Sequence, residues 1–588
     1  MNPEAESLLP SSHRDDQEDE TPNAPSPRFL QTKSHFRDVK MFFWAMLVTA
    51  VLVIAAVWSQ HPHNSLPDTE DPGPRVPVSG KRNLIFMVSD GMGPASLSLT
   101  RSFRQYIDKQ PFDKALYLDR HLSGSSRTRS SNSLVTDSAA GATAFSCAQK
   151  SYNGAISVLP DLTPCGTVLE AAKRAGYLTG LVVTTDITDA TPACFSSHVK
   201  TRAEMDEIAV QQIGLGPLGR SVDLIFGGGR CHFLPVSKGG CRADDRDLIA
   251  DATENLGWTY AGDRKAFDGF SRGEKVPLPM LGLFADRDIP FEIDRRNEDD
   301  VYPSLVQMSM IALRALEKAS KENEKGFFLM IEGSRIDHAG HINDPAAQVH
   351  EVIQYDRTFQ GVSEFLIQSK HQGAVVATSD HETGGLATAI QEPGKLPVYN
   401  WYPAALAAAN TSCERLASQL QAHVASDEFQ SQSRPDLKAW INETLVFGGL
   451  GVNDATADEI DALADNPAAS INTFAAIISL RAHIGWSTHG HTAVDVNVYT
   501  GGSSDTSALR GNVENTAIGQ FLQEYLGVNV DDVTKDLRKS LKISGALVSE
   551  VIEELEESAE PKVNLQALAE GAKAAMDSMM RWVPGISA

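Results

Sequence analysis

Cysteine is scarce in this chain: there are six residues in 588, and no two stand as a Cys-x-x-Cys pair. The pattern of a cysteine-built metal site is therefore missing. Positive charge is also short. Lys and Arg number 52 against 76 Asp and Glu, a net charge of −24. A nucleic-acid partner needs a basic surface, so that class is excluded. Small anionic substrates stay open, because local metal ions and one arginine can dominate the potential of a pocket. No internal repeat is visible. What remains is ordinary globular material, 42% apolar, long enough for one elaborated domain with appendages.

The N-terminal part reads as topology. Residues 1–40 are polar and rich in Ser, Pro, Asp and Glu, the composition of a disordered tail. Met41–Trp58 carries no charge over 18 residues, near the short end of the roughly 20 that a transmembrane helix needs. It starts too far in, and lacks the cleavage site, for a signal peptide. Arg28, Lys33, Arg37 and Lys40 precede it, and no Lys or Arg follows before Arg75. The positive-inside rule then puts the tail in the cytosol and the rest in a lumen. Residues 59–80 read as a lumenal tether. Asn410-Thr-Ser and Asn442-Glu-Thr are glycosylation sequons, as lumenal exposure would allow. Cys231 and Cys241 bracket a short loop and can pair in an oxidising compartment. Glu4-Ala-Glu-Ser-Leu8-Leu9 resembles an acidic dileucine signal read by coat adaptors, an address for a vacuole or lysosome.

Chemistry concentrates further on. In Val135-Thr-Asp137-Ser138-Ala-Ala-Gly-Ala-Thr143 a serine opens a helix of very small residues. Backbone N–H groups at a helix start favour an anion, and a serine there can attack phosphorus if a base or metal ion activates it. Carboxylates and histidines follow apolar, strand-like runs: Asn83 to Asp90, Gly326 to Glu332 with Asp337, His338 and His341, and Gly373 to Asp380, His381 and Glu382. A fourth group, His489-Gly-His491, precedes the run Ala493 to Tyr499. In open α/β sheets, sites form at the carboxyl ends of strands. Mixed Asp and His ligands suit zinc, and Thr, Asp and Glu oxygens suit magnesium. Further strands are expected at 181–185 and 224–226, and helices at 304–318 and 345–367, by apolar spacing. That alternation implies a mainly parallel sheet covered by helices.

Taken singly, each residue has an ordinary explanation. Ser138 can be a helix cap, the aspartates strand-end turn residues, and Arg202 a solvated charge. Their joint occurrence, in order and mostly at strand ends, is what argues for a site. Gly227-Gly-Gly-Arg230 reads as a turn, and His198, His232 and His371 as structural. Glu382 reads equally as a support to the ligands.

The Asp-Ser-Ala-Ala-Gly-Ala-Thr and Glu-Gly-x-x-Ile-Asp-x-x-x-His runs resemble those of alkaline phosphatases, in layout the membrane-anchored fungal vacuolar type. The resemblance covers residues 81–526. It implies an α/β three-layer sandwich and a homodimeric phosphomonoesterase acting on phosphate monoesters, with two zinc ions and one magnesium ion. Ser138 matches the serine that becomes phosphorylated. Asp337, His341 and His491 match the ligands of one zinc, and Asp90, Asp380 and His381 those of the other. Asp90 also matches the magnesium site, with Thr191 and Glu332. Arg202, within Asp189-Ala-Thr191 to Arg202, matches the arginine that forks onto phosphate. Around the third metal this chain pairs Asp189 with His338. The Ala-rich stretch at about 386–485 matches the family's crown-like insertion, and 527–588 is a helical appendage outside the resemblance. Phosphodiesterases and sulfatases of the same superfamily generally lack the full third-metal set, so Thr191 with Glu332 favours a monoesterase. A catalytically dead, membrane-anchored binding protein is disfavoured because Ser138 and every matched ligand are intact.

Overall fold

The computed structural model describes residues 80–391, 394–427 and 433–540. The expected tail, membrane span at 41–58 and nearly all of the tether lie outside the described residues. Among those described, no helix is long and apolar enough to cross a membrane.

The strands are β1 (Arg82–Val88), β2 (Leu122–Arg127), β3 (Leu178–Asp186), β4 (Leu224–Gly228), β5 (Thr259–Ala261), β6 (Met280–Leu283), β7 (Gly326–Glu332), β8 (Gln372–Thr378), β9 (Glu382–Thr383), β10 (His491–Thr492), β11 (Val496–Gly502) and β12 (Gly511–Glu514). Ten of them form one sheet in the order β12-β2-β11-β8-β1-β7-β3-β4-β6-β5. Every neighbouring pair is parallel except those made by β11, which runs antiparallel to β2 and β8.

The unbroken apolar run of β1 reflects cover on both faces. Its side chains alternate across the sheet. Leu84, Phe86 and Val88 join a core with Phe145, Leu169 and Phe521, while Ile85 and Met87 join another with Leu316 and Phe359. The first layer comes from the helices Ser138–Cys147, Val168–Arg174 and Asn515–Leu526; the second from Leu305–Ala319 and Pro345–Gln368. The three-layer α/β architecture is thus present. Helix starts follow their caps: Ser304 and Gln307 form a capping box before Leu305, satisfying two end N–H groups.

Sheet topology gathers the site. β1, β7 and β8 are parallel and in register, with Val88 opposite both Glu332 and Thr378. Residues just beyond these strands therefore emerge along one edge. β11 is antiparallel, so its start, not its end, lies at that edge, with Val498 opposite Thr378. The short antiparallel pair β9–β10 then sets His491 opposite Thr383.

Between β9 and β10 lies the helical insertion. Its Leu406, Leu416, Leu445 and Ile478 pack with Leu99 and Phe103 of the helix Pro94–Ile107. Past Leu526 the chain does not leave the domain at once. Val530, Val533 and Leu537 enter the same core as β1, and Thr534 Oγ1 accepts the Gly166 N–H at 2.8 Å. Residues 541–588 lie outside the described ones. Cys231 and Cys241 are bonded. A second disulfide joins Cys147 to Cys165, a pairing that the spacing did not indicate.

Candidate active site

Ser138 stands at the first position of its helix, after the N-cap Asp137, whose side chain accepts the Ala140 N–H at 3.0 Å. All ten residues of that helix are buried. Its small side chains let it press against the ligand strands: a Cβ on Gly141 would lie 3.0 Å from Asp380 Cβ. Ser138 Oγ is 3.1 Å from His381 Nε2.

One cluster is Asp337, His341 and His491. His491 Nδ1 donates to the Thr136 carbonyl at 2.8 Å and His341 Nδ1 to the His489 carbonyl at 2.5 Å. A carbonyl only accepts, so each ring proton sits on Nδ1 and each Nε2 lone pair turns inward. The two Nε2 atoms approach to 3.1 Å, and Asp337 lies 3.3 Å from one and 3.5 Å from the other. Burial, then the neighbouring His381, lowers the His491 pKa to about 4, so this ring is neutral near pH 7. The contact with Asp337 raises that of His341; a cation would take the place of that proton. Burial works to raise the Asp337 pKa, but the surrounding histidines hold it well below the usual carboxylate range.

The second cluster is Asp90, Asp380 and His381, all buried. His381 Nε2 is 3.1 Å from Asp380 Oδ2 and 3.6 Å from Asp90 Oδ1. Neither oxygen has a hydrogen-bond partner. Thr383 links the clusters: its hydroxyl donates to Asp337 Oδ1 at 2.5 Å and lies 3.2 Å from His381 Nδ1. The His381 and His491 rings stack at 3.5 Å.

Thr191 Oγ1 and Glu332 Oε2 are likewise buried without a partner. Burial, then Asp189, pushes the Glu332 pKa up to about 8. Burial, then Asp380, raises that of Asp90 well above the carboxylate range. Orphaned, crowded carboxylate oxygens beside inward-turned imidazoles are costly unless cations neutralise them. The donor sets therefore fit metal ions: two mixed Asp/His sets and one of oxygens only.

Arg202 faces the same edge. Its Nη2 donates to Asp189 Oδ1 at 2.8 Å, and its Nη1 lies 3.5 Å from Asp137 Oδ2. Burial opposes its charge, but Asp189 and Asp137 outweigh that and raise its pKa.

The alkaline phosphatase family matches residues 81–528. The chain belongs to the alkaline phosphatase family. It is 52% identical over 496 residues to the repressible alkaline phosphatase of Saccharomyces cerevisiae, covering 81% of this chain and 87% of that one. It is similar in structure to the cold-active alkaline phosphatase of a psychrophilic Shewanella, with 30% identity, a TM-score of 0.62 and cover of 75% and 99%. A TAB5 alkaline phosphatase variant with magnesium in its M3 site is 26% identical, with a TM-score of 0.51 and cover of 77% and 99%. This protein is accordingly a phosphatase enzyme, a phosphomonoesterase with metal-binding sites.

Within this alkaline phosphatase, the ten matched residues collect at one sheet edge. Of the neighbouring pair His489 and His491, His491 faces Asp337. His489 instead braces His341, donating from Nδ1 to the His341 carbonyl at 2.8 Å. Glu382 supports the β9–β10 pair: it accepts from the Thr492 hydroxyl and from the Leu386 N–H. His338 lies 3.2 Å from Asp288; burial opposes its charge, but Asp288 raises its pKa to about 9. His198 is held by Glu170 and the Ser157 carbonyl, a structural placement. Gly229, at φ 82°, makes the turn after β4. Thr383 and Asp288 carried no signal in the sequence, since their partners are distant along it.

Proposed function

We propose that this enzyme hydrolyses phosphate monoesters through a phosphoserine on Ser138, with two zinc ions and one magnesium ion. The observation that carries this reading is the ring of buried, unpartnered carboxylate oxygens and inward-facing imidazole nitrogens around Ser138. Asp337, His341 and His491 would hold one zinc, Asp90, Asp380 and His381 the other, and Asp90, Thr191 and Glu332 the magnesium. The TAB5 relative with magnesium in its M3 site supports the last assignment. Bound there, such ions supply Lewis acidity, lowering the pKa of coordinated hydroxyl groups and offsetting charge on phosphoryl oxygens.

The chain's own residues do the rest. Asp137 caps the helix and so fixes Ser138 at its N-terminus, where the dipole favours the phosphoryl group. Ser138 Oγ forms the bond to phosphorus, the ester oxygen leaves with its electron pair and takes up a proton, and an alcohol departs. Water then attacks the phosphoserine, releasing phosphate and restoring the Ser138 hydroxyl. Arg202 presents its planar fork to two phosphate oxygens in both halves, held in place by Asp189 and Asp137. Positioning of this kind is most of what phosphoryl transfer asks of a protein. The test is the purified chain assayed on a phosphomonoester, a phosphodiester and a sulfate ester before and after chelation. Activity should be highest on the monoester, rise toward alkaline pH, disappear with metal removal and return with zinc plus magnesium. Full activity after exhaustive metal removal refutes the reading.

For location, the reading is a single-pass type II protein of a vacuolar or lysosome-like membrane, with the catalytic domain lumenal. The uncharged run Met41–Trp58 with its basic N-terminal flank supports it. So do the two disulfides and the exposure of Asn410 and Asn442. The tail motif at Leu8-Leu9 would engage a coat adaptor. A homodimer would form over the insertion, where Leu396, Val398, Tyr399 and Phe447 are exposed. Protease protection of intact organelles, glycosidase shifts and sedimentation of the purified chain test these points.

A further inference from the structure

Arg335 opens the helix Arg335–His341, which also carries Asp337 and His341. A buried guanidinium is costly unless its donors are matched, yet this one is 3% exposed. Its Nη1 donates to the Ile289 carbonyl at 3.2 Å and its Nη2 to Glu414 at 2.7 Å. The guanidinium lies over the Phe291 ring, 3.7 Å from its centre. Its Nε lies 3.3 Å from His338 Nδ1 on the same helix and 3.7 Å from Asp288 Oδ2, the oxygen that also faces His338. Asp288 in turn accepts the Asp186 N–H, at the end of β3, at 2.9 Å. Glu414 belongs to the first turn of Cys413–Ala425 in the insertion. One side chain thus clamps the ligand helix to the loop after β6, and through it to β3, and to the insertion.

We infer that Arg335 is a positioning residue that holds Asp337 and His341 in their metal-binding geometry by tying their helix to Ile289, Asp288 and Glu414. Arg335 touches neither Ser138 nor Arg202. The flat stack on Phe291, with one Nη donating to the Ile289 carbonyl and the other to Glu414, needs a guanidinium; an ammonium cannot make all three contacts. The inference rests on the metal reading proposed above.

The experiment uses the purified full chain loaded with zinc. It measures zinc retained against a chelator series, the thermal midpoint, and kcat and KM on a phosphomonoester. Arg335→Met should lose zinc at roughly 10- to 100-fold lower chelator, the range for partners that orient metal ligands. Excess zinc should restore most of kcat, with KM little changed. Arg335→Lys should fall between. Glu414→Gln, on a side chain 43% exposed, should loosen zinc about two- to fivefold, a small part of that range. A merely structural role would lower the thermal midpoint without loosening zinc well below it. Folded Arg335→Met with wild-type zinc retention overturns the inference. If that variant does not fold, Glu414→Gln decides, and wild-type retention in it overturns the inference. An unmutated chain that retains no zinc overturns the metal reading instead.

Discussion

Replacing Arg202 by alanine is the sharpest test of how the phosphate is held. Its guanidinium bridges Asp189 at 2.8 Å and Asp137 at 3.5 Å, which orients the fork and keeps it charged. The side chain is 33% exposed, so solvent screens part of its field. A unit charge about 4 Å from one phosphate oxygen is worth about 1 kcal/mol in water and about 4 kcal/mol at an effective dielectric constant near 20. One-third exposure places the contact between these limits, at about 2–3 kcal/mol. The loss in kcat/KM should then be roughly 30- to 150-fold. A second effect adds to it: alanine leaves Asp137 and Asp189 without their cation, facing an anionic substrate. Arg202→Lys should be nearly as damaging, because one ammonium cannot bridge both carboxylates and still fork onto phosphate. Steady-state kinetics and phosphate inhibition constants for both variants, with metal content verified, measure this. Unchanged phosphate affinity and kcat/KM in Arg202→Ala would show that Arg202 does not hold the phosphate.

Ser138→Ala should abolish the phosphoenzyme and leave metal content largely intact; acid trapping and peptide mapping of the unmutated enzyme should place phosphate on Ser138, and a phosphopeptide from elsewhere sinks the assignment. Gly91, at φ 77°, would put an added Cβ 2.5 Å from the Asp337 Cα. Left-handed strain of about 1–2 kcal/mol joins that clash, so Gly91→Ala should destabilise by about 2–4 kcal/mol and release metal; a wild-type melting temperature and metal content contradict this. Glu332 keeps its proton in the folded, metal-free chain up to about pH 8, whereas unfolded it loses it near pH 4.3. The folded state binds more protons across that window, so this contribution to metal-free stability is full below it and lost as pH rises through about 8. Glu332→Gln should flatten that decline in thermal midpoint, and an equal slope in both chains refutes it.

What could be read from the sequence was whatever parallel topology places by local rule. Asp90, Glu332 and Asp380 each close an apolar strand, and three in-register strands bring their ends to one edge without any long-range information. Ser138 was legible for the same kind of reason, since a run of small residues after Asp137 marks a helix start that can sit close to that edge. The register of the run that follows favours His491 over His489, and the antiparallel pairing that sets His491 opposite Thr383, across the whole insertion, is the physical reason. Thr383, Asp288 and Arg335 were silent because their roles lie in partners that spacing does not encode: Thr383 reaches Asp337 across 46 residues and Arg335 reaches Glu414 across 79. The cysteines divide in the same way. Cys231 and Cys241 close a loop with a separation of 10, whereas Cys147 and Cys165 meet at a separation of 18, from a helix end to the segment before the next helix. Asp90, Glu332 and Asp380 are therefore local events at strand ends, but the aim of the ligand set is fixed by distant groups. Substitutions at Arg335 or Thr383 should accordingly disturb metal binding as surely as substitutions nearer the serine, although neither residue stands out in the chain.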